Sequence, residues 1–263
     1  MPTPWELLAK LTFLTFARYF VLAGLFFIPF YVLGRAWFKH QKIQAANAKP
    51  QQFLREIRHS AISSAILAGV GFLMAATPIR QYTLLYKEID AYPVWWLPVS
   101  VLLSLVIHDT YFYWMHRGLH DKRIFRHAHA VHHRSTNPSP WAAYSFHFLE
   151  AIAEGFILVI LVFVLPLHGL SILWFSLASF VMNAYGHLGY EIMPRRFRNS
   201  WWFEVLNTSV HHNLHHRQFK GNYGLYFRYW DRLMGTEHPD YVKQYDRVQE
   251  QRFGVKNAAM KAA

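Results

Sequence analysis

Three histidine boxes in the second half of the chain have the spacing of metal ligands. Fourteen of the 17 histidines lie between positions 108 and 216. The boxes read His116-x-x-x-His120, His129-x-x-His132-His133 and His212-x-x-His215-His216. On a helix, residues three or four positions apart share a face, so the imidazoles of each box can converge on one point. Because imidazole binds iron, zinc, copper and nickel, the boxes predict a metal centre without choosing the metal.

The number of imidazoles indicates more than one ion. A tetrahedral zinc needs four ligands, whereas the boxes supply eight. Two ions a few ångströms apart would use four or five ligands each and keep a position open for oxygen or water. The chain contains no cysteine, which excludes thiolate ligands, iron–sulfur clusters and a cysteine nucleophile. We therefore predict a site with two metal ions and mainly imidazole ligands.

Helical phase distinguishes two polar residues that precede the first box. At about 100° per residue, Asp109 lies within about 20° of both His116 and His120, whereas His108 lies about 80° from His116. We hypothesise that Asp109 accepts a hydrogen bond from a ligating histidine and fixes its tautomer. The alternative is a hydrated carboxylate at the start of a helix. His108 is predicted not to bind metal.

Four apolar stretches must position the boxes. They cover residues 11–33, 60–79, 91–107 and 155–186, and the first is interrupted only by Arg18. At about 1.5 Å per residue, 20 apolar residues cross the roughly 30 Å hydrocarbon core of a bilayer. A Pro166-Leu-His168-Gly169 cluster divides the last stretch into a helical hairpin. We predict an all-α integral membrane protein with about four spanning elements and a cytoplasmic helical cap that carries the boxes.

Composition and charge agree with a membrane location. Hydrophobic residues make up 53% of the chain and charged residues 16%, which disfavours a soluble enzyme. The net charge of +12 suits nucleic acid or an anionic membrane surface, but the basic residues lie at the ends of the apolar stretches. Six of them lie between positions 35 and 58, so the positive-inside rule predicts a cytoplasmic first loop. Residues 111–140 and 191–263 are then also cytoplasmic, and no nucleic-acid partner is expected.

The boxes and their flanking residues resemble the fatty acid hydroxylase/sterol desaturase superfamily. The likeness is carried by His108-Asp-Thr-Tyr-Phe-Tyr-Trp-Met-His116-Arg-Gly-Leu-His120, His129-x-x-His132-His133, Asn183-Ala-Tyr-Gly-His187-Leu-Gly-Tyr-Glu191 and His211-His212-Asn-Leu-His215-His216. It extends through Asn222-Tyr-Gly and Trp230-Asp-Arg-Leu-Met-Gly-Thr236 and covers roughly residues 100–237. The first two apolar stretches carry no such signature.

The resemblance implies an integral-membrane non-haem di-iron oxygenase. Such an enzyme uses O2 and two external electrons to hydroxylate or desaturate a sterol or fatty acyl substrate in the bilayer. Nine histidines would hold the two irons, with zinc possible in the isolated protein: His116, His120, His129, His132, His133, His187, His212, His215 and His216. From the sequence alone, a structural role for His187 at the end of an apolar helix is equally open. A separate reductase is expected, because the chain has no flavin, haem or nicotinamide fingerprint.

The chain departs from the family pattern after the second box. Members often carry His-Pro-x-Glu there, and this sequence reads His147-Phe-Leu-Glu150. We keep His147 and Glu150 as candidates for orienting the metal ligands, together with Asp109. His211 stands next to a ligand at the wrong helical phase and is expected to face outward.

Another class of function keeps the metal ions without oxygen chemistry, as in a metal transporter or a zinc hydrolase. A transporter would carry its ligands near the middle of the bilayer, whereas these boxes lie beyond the apolar stretches. A hydrolase site usually includes carboxylates. Neither the lipid class nor the choice between hydroxylation and desaturation follows from family likeness.

The predicted organisation has three parts. Residues 1–90 form N-terminal membrane helices, residues 91–240 form the catalytic domain, and residues 241–263 form a C-terminal tail. The small size and the absence of a retrieval signal at the C-terminus favour a bacterial inner membrane over the endoplasmic reticulum.

Overall fold

The computed structural model describes residues 3–261, and most of these form α-helices. The helices are α1 (Pro4–Phe27), α2 (Pro50–Ala76), α3 (Trp96–Leu119), α4 (Phe125–Ala128), α5 (Ala130–His133), α6 (Phe148–Val164), α7 (Gly169–Gly186), α8 (Trp201–Val205), α9 (Ser209–Gln218), α10 (Tyr229–Leu233) and α11 (Tyr241–Lys261). Ile28–Leu33 continues α1 as a π-helix, and short 3₁₀ helices cover Lys39–Gln41, Pro78–Tyr82, Pro140–Tyr144 and Arg195–Asn199. A two-residue parallel pair joins β1 (Leu85–Tyr86) to β2 (Leu167–His168). The all-α prediction is confirmed.

Three helical segments among the described residues are long and apolar enough to cross a bilayer. They are Pro4–Leu33, Pro50–Ala76 and Gly169–Gly186. Helix α6 has 17 residues and is joined to α7 by a short connection at the predicted turn, and both helices pack against α3. The chain is an integral membrane protein by these helices.

The boundaries of two helices differ from the apolar stretches and bring polar residues into the bundle. Helix α2 begins at Pro50, ten residues before the apolar stretch, because proline is favoured in the first turn. Helix α3 continues beyond the apolar stretch to Leu119. One continuous helix therefore links an apolar segment to the first histidine box.

Side-chain caps start the helices of the hairpin. The imidazole of His147 accepts a hydrogen bond from the backbone N–H of Leu149, and that of His168 accepts one from Leu170. Each cap satisfies a backbone donor that has no partner within its helix. His168 is therefore structural, and the capping role of His147 bears on its candidate role at the site.

Two buried clusters hold the histidine-bearing segments in place. Tyr19 and Ala23 of α1 pack with Trp141 and with Phe180 of α7. At the other side, helix α11 buries Tyr241, Tyr245 and Val248 against α8 and α9. The first part of the segment predicted as a tail is thus a packed helix.

Candidate metal centre

Nine histidine side chains converge in two adjoining clusters. Within each cluster, one ring nitrogen per histidine lies within 4.8 Å of every other. The five-histidine cluster comprises His116, His120, His129, His133 and His215, and the four-histidine cluster comprises His132, His187, His212 and His216. These are the nine residues that the resemblance implies. Their arrangement in groups of five and four matches the ligand numbers expected for two ions.

The three boxes do not map onto the clusters one by one. Consecutive residues His132 and His133 contribute to different clusters, and so do His215 and His216. Side chains of consecutive helical residues point about 100° apart, so each pair reaches two separate points. Since the imidazoles of His133 and His216 stack with centroids 4.7 Å apart, the two candidate metal positions are neighbours.

Four parts of the fold deliver the imidazoles. Helix α3 carries the first box at its C-terminal end, and α4 and α5 carry the second. His187 follows the last residue of α7 as its C-cap. Helix α9 carries the third box, and the hydroxyl of Thr208 caps this helix by accepting from the backbone N–H of His211. The site is thus assembled from residues distant in the sequence.

The spacing of the Nε2 atoms fits metal coordination. Neighbouring Nε2 atoms lie 3.1 Å apart in the five-histidine cluster and 3.1–3.3 Å apart in the four-histidine cluster. Two nitrogens bound to one ion at about 2.1 Å, with bond angles between about 90° and 110°, lie about 3.0–3.4 Å apart. The donor set therefore fits two ions of this size.

The opposite ring nitrogens identify the tautomer of five of the histidines. Each Nδ1 lies against a backbone carbonyl, which can only accept, or against the Glu150 carboxylate, which can only accept when ionised, so Nδ1 carries the proton and Nε2 keeps its lone pair. The acceptors are the carbonyls of Tyr223 for His116 (2.9 Å), Asn183 for His187 (2.8 Å), Gly221 for His215 (2.7 Å) and Ser135 for His216 (3.0 Å), and the carboxylate of Glu150 for His129 (2.8 Å). Lone pairs facing one another at 3.1 Å repel unless a cation lies between them, which supports metal binding.

Burial keeps these imidazoles neutral. Removal from water lowers the pKa of His116 and His187 to about 4, and that of His120 to about 2 with the help of the nearby His116. The pKa values of the remaining six lie below the ordinary value of histidine for the same reason. Neutral imidazole is the form that binds metal, so the clusters are ready for ligation at neutral pH.

Of the two candidates after the second box, only Glu150 contacts a clustered histidine. Its Oε1 accepts the hydrogen bond from Nδ1 of His129, and both side chains are buried. This is the carboxylate–histidine arrangement that orients many metal ligands. His147 instead caps α6, and its ring makes no hydrogen bond to a clustered histidine within the described part of the chain.

The predicted hydrogen bond from a ligating histidine to Asp109 is wrong. No hydrogen bond joins Asp109 to a histidine among the described residues. Its Oδ1 accepts from the backbone N–H groups of Leu225, Tyr226 and Phe227 at 3.1, 2.6 and 3.2 Å. The loop that follows α9 supplies these donors. The carboxylate of Asp109 is therefore paired with the backbone and not with an imidazole.

That loop, residues 219–227, is itself a support for two ligands. Asp231 accepts from the N–H groups of Tyr223 and Gly224 at 2.9 and 2.8 Å, next to the amides held by Asp109. The loop turns at Phe219, Gly221 and Asn222, all with positive φ, and so presents carbonyls to the imidazoles. Its Tyr223 and Gly221 carbonyls receive Nδ1–H groups of two clustered histidines. Sequence reasoning missed this role, although Asp231 lies in the matching run 230–236.

His108, His127 and His211 are close in sequence to the boxes but lie outside the clusters. His108 bonds through Nδ1 to the hydroxyl of Tyr226 at 2.8 Å, in agreement with the prediction that it does not bind metal. His211 points away from the clusters as predicted, but it is fully buried against Tyr241 rather than exposed. Tyr241 of helix α11 covers it, a tertiary contact that helical phase does not predict. His127 is exposed.

Helix α2 supports the second box from outside the matching region. The hydroxyl of Ser139 donates to Glu56, and Gln52 donates to Glu56 at 2.8 Å and to the carbonyl of Asn137 at 2.9 Å. Arg55 donates to the hydroxyl of Ser135 at 3.2 Å, and the carbonyl of Ser135 accepts from His216. One signal was available, because Glu56 is the only acidic residue between Glu6 and Glu88.

A cavity of about 330 Å³ lies in the apolar bundle, and two of its lining residues, Phe146 and Asn183, contact clustered histidines. The ring of Phe146 lies 5.3 Å from that of His132, and the carbonyl of Asn183 accepts from His187. Most of its wall comes from apolar side chains of α1, α2, α6 and α7. The cavity has the chemistry and position to admit a hydrocarbon to the metal centre.

Comparisons with known proteins agree with this geometry. Residues 101–236, more than half of the chain, match the family model described as Fatty acid hydroxylase. The chain is 36% identical over 164 residues to lathosterol oxidase of Rattus norvegicus, covering 61% of this chain and 53% of the relative. It is 29% identical over 199 residues to a Delta(7)-sterol 5(6)-desaturase of Gibberella zeae, covering 76% and 60%. Over 220 residues it is 28% identical to lathosterol oxidase of Homo sapiens, covering 83% and 70%.

The matches have limits in length. The chain spans little more than half the length of the rat relative and three fifths of the Gibberella zeae relative. No solved structure matches the chain significantly.

Proposed function

Because the chain belongs to the fatty acid hydroxylase family, we propose that it is a membrane-bound oxygenase that hydroxylates or desaturates a sterol or fatty acyl lipid. The observation that carries this proposal is the pair of neighbouring histidine clusters, five and four imidazoles, next to a largely apolar cavity. A hydrolase or a transporter has no need for a largely apolar cavity beside two imidazole-rich sites.

The nine clustered histidines would hold two non-haem iron ions, which supply the capacity to activate O2 when bound. The protein contributes orientation: the Nδ1 partners, including Glu150, fix the tautomers that aim each Nε2 at the cluster centre. Phe146 and the apolar wall of the cavity exclude water around the reacting carbon. Two electrons come from a separate reductase, which is the proposed protein partner.

We further propose that the histidine clusters lie on the cytoplasmic side. The basic residues between positions 35 and 58 support this orientation by the positive-inside rule, and Arg55 contacts the loop that follows the second box. The identity of the membrane stays a prediction. The sequence favours a bacterial inner membrane, whereas the relatives named above come from eukaryotes.

Metal analysis combined with oxygen uptake tests the function. The purified chain, reconstituted with iron and a chemical or enzymatic reductant, should consume O2 only when a suitable lipid is present. Mass spectrometry of lipids from cells with and without the chain should find one lipid class that gains an oxygen atom or loses two hydrogens. A chain that retains only zinc and supports neither oxygen uptake nor a lipid mass change would refute the oxygenase.

A further inference from the structure

An arginine faces the cavity from the middle of a membrane helix. Arg18 is the one charged residue in the apolar stretch 11–33, and it lines the cavity together with Ser176 of α7. A charged side chain within a span is costly in hydrocarbon and usually faces a bundle interior or a polar pathway. Arg18 therefore needs a polar environment inside the cavity.

The protein supplies only part of that environment. Nη1 of Arg18 donates to the hydroxyl of Ser176 at 2.8 Å, while Nε is buried and has no partner in residues 3–261. A guanidinium has five N–H donors in a fixed plane, and a serine hydroxyl is a neutral acceptor that satisfies one of them. Donors of Arg18 remain available to a ligand in the cavity.

Other polar groups face the same space. His108 is buried, and its Nε2 has no partner among the described residues, although its Nδ1 is bonded to Tyr226. The carboxyl of Glu154 also lines the cavity. A purely hydrocarbon ligand would leave Nε of Arg18 and Nε2 of His108 without partners, which is unfavourable away from water.

The distance from these groups to the metal centre is set by two helices. Ser176 precedes His187 by eleven residues along α7, which corresponds to about 16 Å at 1.5 Å per residue. His108 precedes His116 by eight residues on α3, or about 12 Å. The polar groups thus lie deep in the bundle, well separated from the clustered imidazoles.

We propose that Arg18 is a specificity-determining residue that binds the polar oxygen of the lipid substrate about 16 Å from the metal centre. The oxygen belongs to a hydroxyl or a carboxylate, both of which accept hydrogen bonds from a guanidinium. The hydrocarbon of the lipid then extends along the cavity to Phe146 and the histidines. The inference rests on the proposed function, because it treats the bound lipid as the substrate. The binding itself can be measured without turnover.

A binding experiment with three lipids of equal chain length tests the proposal. The probes are octadecan-1-ol, octadecanoate and octadecane, measured by competition against a labelled probe on the full chain in nanodiscs. We expect at least one oxygenated lipid to bind about tenfold or more tightly than octadecane, the effect of one hydrogen bond to a charged group. The preferred lipid tells a hydroxyl from a carboxylate.

Variants separate Arg18 from general effects. Arg18→Met should reduce the advantage of the oxygenated lipid to less than about twofold, whereas Lys10→Met, which removes an exposed cation from the same helix, should preserve it. If Arg18→Met cannot be purified folded, the wild-type ratio decides: equal binding of all three lipids overturns the proposal. An unchanged preference in Arg18→Met also overturns it. If the wild-type chain shows the binding preference but no oxygen uptake, the proposed oxygenase function is refuted and the lipid-binding role of Arg18 is not.

Discussion

The carboxylate of Glu150 lies 2.8 Å from Nδ1 of His129, and both side chains are removed from water. The pair links the start of α6 to the second histidine box, 21 residues earlier in the chain. Because the carboxylate can only accept, it fixes the proton on Nδ1 and leaves Nε2 free to bind metal. Glu150 therefore acts on the five-histidine cluster through His129.

The first prediction concerns that carboxylate. Glu150→Gln should weaken metal binding at the five-histidine cluster by about 10–100-fold, because the amide is neutral and can present a donor to Nδ1. Metal content measured after titration with a chelator checks this. The control is Glu88→Gln, an exposed carboxylate in another loop, which should retain wild-type metal affinity. Equal affinities in the two variants would contradict the role of Glu150.

The second prediction concerns Asp109. Asp109→Ala leaves the backbone N–H groups of residues 225–227 without an acceptor. Each unpaired buried donor costs about 1–3 kcal/mol. We expect a loss of about 3 kcal/mol or more in the free energy of unfolding, measured in detergent. Asp109→Asn keeps an oxygen acceptor and should lose less. If alanine and asparagine were equally harmless, the loop would not depend on this carboxylate.

The third prediction assigns His187 to the four-histidine cluster. Its Nε2 lies 3.1–3.3 Å from those of His132, His212 and His216, so His187→Ala removes the imidazole that contacts all three. The bound metal should fall from two ions toward one per chain, as determined by elemental analysis. His127→Ala changes an exposed imidazole and should keep both ions. Two tightly bound ions in His187→Ala would exclude it as a ligand.

Acid should destabilise the metal-free protein. The pKa values of His116 and His187 are lowered to about 4 by burial, so the folded protein holds fewer protons than the unfolded chain below pH 6.5. This stability is present above the unfolded pKa, near 6.5, and is lost as the pH falls toward 4. Each unit of lowering is equivalent to about 1.4 kcal/mol. Thermal unfolding of the metal-free chain between pH 7.5 and 4.5 measures the effect, and a flat profile would contradict it.

Local spacing was enough to predict that the eight box histidines gather, but it did not include His187 or show how the nine divide. The spacing within His129-x-x-His132-His133 is set by one or two helical turns, and such short-range geometry can be read from the sequence. The division of His132 and His133 between two clusters depends on where α7 and α9 approach, which is a property of tertiary packing. The same limit applies to Asp109. Its helical phase places it on the face of the first box, yet its hydrogen-bond donor is the backbone of Leu225, 116 residues later in the chain.

The apolar stretches were also predicted from the sequence, whereas their polar extensions were not. The turns of α2 that hold Gln52, Arg55 and Glu56 precede the apolar part and look like a loop by charge alone. Their partners are backbone and hydroxyl groups of residues 135–139. No sequence pattern predicts these contacts. Likewise, the sequence predicts a tail at residues 241–263, whereas the first turns of α11 pack against α8 and α9.

The contacts of α2 with residues 135–139 make the matching region dependent on a segment that lacks the family signature. A truncated chain that starts at residue 91 would contain every clustered histidine, yet it would lack the carboxylate of Glu56 and the guanidinium of Arg55. We expect such a truncation to be unable to assemble the four-histidine site, and co-expression of residues 1–90 as a separate polypeptide to restore it. The N-terminal helices would then be a structural subunit of the metal centre as well as its membrane anchor.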